Sequence, residues 1–374
     1  MNNIGMLYGF ELKKILKNRL TIVMLVITVF FILVEAVAPG MANVAGEDPG
    51  SLDGRVIDDA LLGELQAELV ANGGAWNGDA GKYNGIAKWK RDVLESNEKV
   101  AEEYTAQQLY QAREENILSM MEESSLSDGE ITWWKNQMEG ETPFTYYDYN
   151  GALILSQGLV GVLLCIMLLS ALCLSTVFTV EHRQRTDQLV LSCKNGRGRT
   201  YFVKIAAGLS VVVACCLLAT GLLALLTAVL YGLNGFNAVV QLEIPASPYA
   251  FTMGQFIAVQ GAVMITAGIL FAAFAMAVSE LLKNSLAVMG IMVGLFIFGQ
   301  LEIIPPKYLL LLKLRAMLPS NQVSVWSLME YHLFNFGGHY CTGYLVSPIT
   351  YLALSAALIA LGGWVYNRFQ VTGR

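Results

Sequence analysis

The sequence predicts an all-α polytopic membrane protein with six transmembrane helices and a mostly helical extracellular domain inserted between the first and second spans. One observation behind this prediction is composition. Of the 374 residues, 55% are hydrophobic and only 14% are charged, whereas a soluble domain carries about 25% charged residues. The other observation is a series of apolar stretches, each close to the roughly 20 residues that a helix needs to cross a bilayer.

Charge is distributed unevenly along the chain. Residues 40–150 hold 22 of the 30 acidic residues but only 8 of the 24 basic ones, so this stretch carries −14. Because the whole chain carries −6, the remainder carries +8. Such a division predicts two environments rather than one acidic protein. We call residues 40–150 the acidic segment and expect it to lie outside the cell.

The first 19 residues predict an amphipathic helix at the cytoplasmic membrane surface, because four basic residues alternate with apolar ones. The apolar run of residues 20–38 follows as the first span, with the N-terminus inside. A cleaved signal peptide is the alternative, since Val37–Ala42 resembles a cleavage site. The run is long enough to span, which favours an uncleaved helix.

The acidic segment, residues 40–150, predicts a small helical domain. Thr105 with Gln108, and Ser127 with Glu130, form capping boxes that mark two helix starts. Four aromatic residues near its end predict the outer membrane interface, where such rings sit at headgroup depth: Phe144, Tyr146, Tyr147 and Tyr149.

Residues 151–374 predict a five-helix transmembrane domain with both termini of the chain in the cytoplasm. The predicted spans are residues 152–180, 202–231, 255–278, 285–304 and 348–367. Residues 305–347 predict an outer re-entrant or interfacial segment. Its Lys307, Lys313 and Arg315 disagree with the positive-inside rule, but ten basic residues on the two inner segments outweigh them.

A basic loop, residues 181–201, connects the second and third predicted spans. Together with Lys204 it contains six basic residues against Glu181 and Asp187, which predicts a cytoplasmic position. Thr186 or Asp187 is the candidate cap of a short helix, and Gly196 lies in a stretch that turns the chain back. A short helix between two spans is a shape that docks on another protein.

This loop resembles the coupling helix of permease subunits of ABC exporters of the type-2 family. In that family the second span is followed by the motif E-x-x-x-x-T-x-x-L-L-x-S-x-x-x-G-R; here Val190 stands where leucine is commoner. Residues 10–16 are similar to the elbow that opens many members. The resemblance does not extend to the acidic segment, because common members have a short loop there. The coupling residues that it implies are Glu181, Arg183, Thr186, Leu189, Leu191, Gly196 and Arg197.

The resemblance implies partners that carry out the chemistry. Two copies of a separate ABC ATPase bind ATP and Mg²⁺, and this chain binds no cofactor. A second permease copy completes a homodimer within the lipid bilayer. No Walker A, catalytic or tightly spaced metal-ligand motif occurs in the sequence, so we expect neither an enzyme nor a metal site in this chain. Nucleic acid is not an expected partner.

Polar residues at membrane depth are few. Candidate residues for a pathway or outer vestibule are Glu35, Gln157, Gln260, Gln300 and Glu302; alternatively, the two glutamates only reach water. So few ionisable groups disfavour a carrier coupled to protons or ions. Gly290 and Gly294 form a GxxxG pattern that predicts a close helix–helix contact, either between two copies or within the chain.

The predicted function is therefore the transmembrane permease of an ATP-driven exporter in the cytoplasmic membrane. An antimicrobial peptide or another envelope-active compound is the substrate that the enlarged outer segment suggests by analogy. The charge of −14 and the predicted exposure of Trp133 and Trp134 favour a cationic peptide, whereas a merely solvated acidic surface is the alternative. The competing function is a non-transporting receptor or scaffold whose acidic segment binds a ligand.

Overall fold

The computed structural model describes residues 4–42, 49–71, 76, 80–124, 126–140, 142–179, 198–301, 304 and 308–368. Within them the chain is predominantly helical, and five helices are long and apolar enough to cross a membrane. The prediction of an all-α, multi-pass membrane protein is thereby confirmed. The five are Arg19–Gly40, Asn150–Thr179, Gly198–Tyr231, Met253–Leu282 and Gly343–Asn367.

The described helices follow one another with short two-stranded sheets between some of them. In chain order they are α1 (Ile4–Leu16), α2 (Arg19–Ala42), α3 (Asp59–Ala71), α4 (Asn84–Leu94), α5 (Ala106–Glu123), α6 (Asp128–Met138), α7 (Asn150–Leu169), α8 (Gly198–Tyr231), α9 (Met253–Leu282), α10 (Ser285–Gln300), α11 (Leu309–Ala316), α12 (Pro319–Gln322) and α13 (Gly343–Arg368). A π-helical turn, Ser170–Leu174, extends α7 toward Thr179.

The predicted span at residues 285–304 is a shorter apolar helix in the structure. Helix α10 has 16 residues, which corresponds to about 24 Å at 1.5 Å per residue. The hydrocarbon core of a bilayer is about 30 Å thick. The count of six spans therefore stays a prediction, and the short helices α11 and α12 follow α10 where the outer segment was expected.

The long helices form one bundle around α7, which packs against α2, α8 and α9, while α13 lies along α9. Glycines allow two of these close approaches. A Cβ at Gly161 of α7 would overlap the ring of Phe31 on α2. A Cβ at Gly268 of α9 would lie 2.8 Å from Cys216 Sγ on α8, so both contacts require glycine.

Helices α3 to α6 and a small sheet make up the described part of the acidic segment. Strands Arg55–Val56 and Thr145–Tyr146 pair antiparallel and join the beginning of this segment to its end. The capping boxes at Thr105 and Ser127 are both present, which confirms the two predicted helix starts.

The aromatic residues near the end of the acidic segment were expected to mark the membrane interface, and three of them are buried within the protein. Phe144, Tyr146 and Tyr149 are each at most 5% exposed. The Phe144 ring lies 5.4 Å from the ring of Tyr110 and 6.4 Å from that of Trp89. These residues form the core of the segment, and hydrophobic burial rather than lipid contact determines their position.

Candidate functional site

The acidic segment is docked onto loops that follow much later in the chain. Arg113 of α5 is buried and donates from Nε to the carbonyl oxygen of Pro245 at 2.8 Å, and from Nη2 to that of Ser247 at 2.8 Å. Its guanidinium also lies 5.1 Å from the ring centre of Phe144. A buried guanidinium requires such partners, so α5 and the loop between α8 and α9 form one unit.

A second contact involves residues 330–333, which we call the clamp segment. The Trp134 indole N–H donates to the carbonyl oxygen of Tyr331 at 2.8 Å. Glu130 accepts the backbone N–H of Leu333 at 3.0 Å, and Lys313 donates to the carbonyl oxygen of Leu333 at 2.7 Å. The clamp segment therefore connects α6 of the acidic segment to α11.

The Glu130 carboxylate is stabilised in its charged form. Burial acts to raise its pKa, but the backbone N–H groups of Ser127 and Leu333, the Ser127 hydroxyl and the charge of Lys313 outweigh burial, and the pKa lies below its ordinary value. Lys313 Nζ lies 3.6 Å from Glu130 Oε1. Because hydrogen bonds and an opposite charge both favour the ionised carboxylate, the ion pair is present at neutral pH.

These contacts change two expectations about the acidic segment. Trp134 is 1% exposed, so the prediction that it is an exposed aromatic is wrong, and Trp133 is half-buried. Lys313, which disagreed with the positive-inside rule, pairs with an acid of the segment. Arg315 likewise donates to the carbonyl oxygen of Gly299. Both basic residues have local partners, and so they are a weak guide to which side of the membrane they face.

A cavity of about 330 Å³ lies where the acidic segment meets the two loops. Helices α4 and α5 form one wall, and residues 243–246 with Trp326 and Met329 form the other. The acidic side chains of Asp92, Glu95 and Glu243 line it together with basic ones. Trp326 and Met329 also line a neighbouring cavity of about 340 Å³, which reaches Gln300 at the end of α10.

At the opposite end of the bundle, a buried ion pair holds α1 against α8. Glu11 of α1 is 4% exposed and Lys204 of α8 is fully buried, and Lys204 Nζ lies 3.4 Å from Glu11 Oε1. The ammonium group of Lys204 also lies 5.7 Å from the ring centre of Phe178. Sequence reasoning placed Glu11 and Lys204 on the same side of the membrane but did not predict that they pair.

Aromatic rings join the two ends of the basic loop. The Phe178 ring, just before the loop, lies 5.6 Å from the ring of Tyr201, just after it, and 5.8 Å from the ring of Tyr366 on α13. Tyr201 is fully buried and donates its hydroxyl to the carbonyl oxygen of Ile359 at 2.8 Å. The base of the loop is thus fixed by three helices, whereas residues 180–197 lie outside the described part of the chain. All seven predicted coupling residues fall within that range.

Among the described residues, the predicted pathway residues do not line one common cavity. Gln260 is fully buried and donates to the carbonyl oxygens of Val323 at 2.7 Å and Ser156 at 3.4 Å. Gln157 is exposed, and Gln300 is exposed and donates to the carbonyl oxygen of Ser320. Glu35 is half-buried on α2 beside α7, and Glu302 lies outside the described residues. A pathway role for these five residues stays a prediction.

The GxxxG pattern of α10 is not used for packing within the described part of the chain. Val288 and Met292 face the bundle and are buried. Gly290 and Gly294 lie about half a turn away and are exposed, and an added Cβ at either would meet no described atom within 4 Å. The sequence left open whether these glycines contact a second copy of the chain or another helix of the same chain. Among the described residues, no other helix of the same chain contacts them.

Comparison with known proteins found no matching family model, no matching curated protein and no matching solved structure. The resemblance to ABC exporter permeases therefore rests on the sequence motifs alone.

Proposed function

We propose that the chain is the transmembrane permease subunit of an ATP-driven ABC exporter. The observation that best supports this is the arrangement at the base of the basic loop. The buried Glu11–Lys204 pair joins α1 to the first turns of α8, and the Phe178–Tyr201 contact joins the two ends of the loop. A loop fixed at its base passes on force from a docked partner, because its ends do not move independently of the bundle.

In this proposal the basic loop docks on the ATPase in the cytoplasm. Leu189 and Leu191 enter a groove on that partner, and Arg183 and Arg197 contribute charge. Two ATPase copies bind ATP and Mg²⁺ and supply the energy. Both termini of the chain are cytoplasmic, and the acidic segment lies outside the cytoplasmic membrane.

A second permease copy completes the pathway. The open face of α10 at Gly290 and Gly294 supports this step, because small residues in apolar helices let two backbones approach closely. In the single chain this face has no packing partner among the described residues. A homodimer with α10 near its axis would cover it.

The experiment measures assembly and coupling together. We expect the chain to copurify with an ATPase encoded beside it, at two copies of each, and to raise the ATPase rate. Leu189→Asp should weaken copurification because a charge replaces the apolar contact, which is worth about 1.5–3 kcal/mol for one leucine side chain. Val70→Asp is the matched control, since Val70 is 64% exposed on α3.

Two outcomes would contradict the proposal. A chain that never retains an ATPase would favour the receptor or scaffold alternative. Equal copurification of Leu189→Asp and Val70→Asp would remove the basic loop as the docking element.

The sides of the membrane are tested separately by labelling. In a cysteine-free background, single cysteines replace Ser96 in the acidic segment and Asn195 in the basic loop. An impermeant maleimide added to intact cells should label position 96 and not position 195. Labelling at 195 alone would invert the proposed topology.

A further inference from the structure

The cavity between the acidic segment and the later loops combines an exposed carboxylate, an exposed indole and methionine side chains. It encloses about 330 Å³, enough for a small organic group, and ligand sites in proteins begin at about 300 Å³. Ile244, Met120 and Met329 supply apolar wall. Methionine side chains adapt to ligands of different shape.

The basic residues that line the cavity are already paired. Lys88 Nζ lies 2.5 Å from Glu243 Oε2, and Arg91 Nη2 lies 2.5 Å from Asp92 Oδ1. Arg113 is bound to two carbonyl oxygens. An anion entering the cavity would have to displace one of these contacts.

Glu95 differs from these residues because it has no ion pair or side-chain hydrogen bond among the described residues. It ends α4 in the left-handed conformation, with φ of 51°, and its side chain is exposed at the cavity. Its charge therefore stays available to a cation. The net charge of −14 on the acidic segment also raises the local concentration of cations.

Trp326 supplies the aromatic surface on the other wall. It is 68% exposed, whereas Trp89 and Trp134 of the acidic segment are buried. It lines both this cavity and the neighbouring one at the end of α10. The face of an indole is the best aromatic partner for an organic cation.

We infer that this cavity binds an amphipathic organic cation, whose charged group lies between Glu95 and the Trp326 ring and whose apolar part lies on Met120 and Met329. This deepens the proposed function by naming a substrate class. The aromatic residue that receives the cation is Trp326, not Trp133 or Trp134.

The test measures binding to the purified full chain in a nonionic detergent, without any ATPase. The probe is benzyltrimethylammonium, and benzylsulfonate is the anionic probe of similar size. We expect the cation to bind by calorimetry and the anion not to bind. Trp326→Ala should weaken cation binding about tenfold, whereas Trp326→Phe should keep most of it because an aromatic face remains.

The contribution of the Glu95 carboxylate to cation binding is tested by Glu95→Gln, which keeps the shape of the side chain. We expect about fivefold weaker binding, with a smaller difference at high salt because Glu95 is exposed. Two controls change the same residue types away from the cavity. They are Glu98→Gln, on an exposed neighbouring acid, and Trp364→Ala, on a tryptophan of α13 that is 55% exposed; both should bind as the unchanged chain does.

Equal binding of the two probes, absence of cation binding, or unchanged affinity in Trp326→Ala would overturn the inference. A repeat in phosphatidylcholine nanodiscs separates two sources of the cation. Weaker probe binding there than in detergent assigns the site to a choline headgroup, and equal binding assigns it to a soluble compound. Because no ATPase is present, failure here is distinct from failure of the copurification experiment.

Discussion

Replacement of Arg113 by methionine tests whether the acidic segment is stable only when it is docked on the later loops. The guanidinium makes two hydrogen bonds to carbonyl oxygens in a buried place. Hydrogen bonds to a charged group contribute about 1.5–3 kcal/mol each. Methionine fills similar volume but leaves both carbonyl oxygens without this donor, so we expect a loss of about 3–5 kcal/mol in the free energy of unfolding.

A matched control comes from Arg55, whose guanidinium makes two hydrogen bonds to Glu64 at 2.7 and 2.9 Å on the exposed surface of the same segment. Exposed ion pairs contribute little to stability because solvent screens them, so Arg55→Met should have a small effect. The assay is thermal unfolding of the full chain in detergent, together with limited trypsin digestion. In Arg113→Met we expect a lower melting temperature and faster cleavage within the acidic segment.

The reasoning would be refuted by equal melting temperatures for Arg113→Met and Arg55→Met. It also predicts that residues 40–150 expressed alone are less stable than in the full chain, since Arg113, Glu130 and Trp134 then lack their partners. Arg113→Lys is the intermediate case. Its single ammonium group keeps the charge but lacks the forked geometry that reaches both carbonyl oxygens.

Further predictions concern the buried charges and the glycines. Lys204→Met should destabilise the chain by up to about 3–5 kcal/mol, because buried Glu11 keeps only the more distant Lys14, at 3.9 Å, as an ion-pair partner among the described residues. Adding Glu11→Gln should recover much of this loss in a double-mutant cycle of melting temperatures. Burial lowers the pKa of Lys90 to about 8, from 10.5. At Lys90 the folded chain therefore binds fewer protons than the unfolded chain between these values, so the difference in stability between the unchanged chain and Lys90→Met should rise as pH increases from about 8 to 10.5. Gly268→Leu should prevent folding through its clash with α8, whereas Gly290→Leu should leave the single chain folded and weaken dimerisation, as measured by mass in detergent. A dimer unaffected by Gly290→Leu would remove α10 from the interface.

Features set by neighbouring residues were predictable from the sequence. The capping boxes at Thr105 and Ser127 depend on residues three positions apart, and both are present. The first span was expected at residues 20–38, and α2 covers Arg19–Ala42. Helix α3 was not predicted, although leucines at positions 61, 62, 65 and 69 have helical spacing and are buried.

Features that depend on distant contacts were not predictable in this way. Trp134 and Phe144 were assigned to exposed or interfacial positions from their type alone. Trp134 is buried against Tyr331, and Phe144 is buried against Trp89. These partners are distant in the sequence, and a single sequence does not indicate that they meet. The same holds for the Glu11–Lys204 pair, whose members are 193 residues apart in the sequence. The candidate cavity likewise joins residues of four separate stretches.

The docking of the acidic segment has a consequence for biosynthesis. Arg113 binds a carbonyl oxygen 132 residues later in the chain, and Glu130 binds a backbone N–H 203 residues later. At about 5–20 residues per second, synthesis of 200 residues takes about 10–40 s. During that interval the acidic segment has been synthesised, but the loops that stabilise it have not yet been synthesised. A chain that ends before residues 330–333 would therefore lack the groups that bind Glu130 and Trp134.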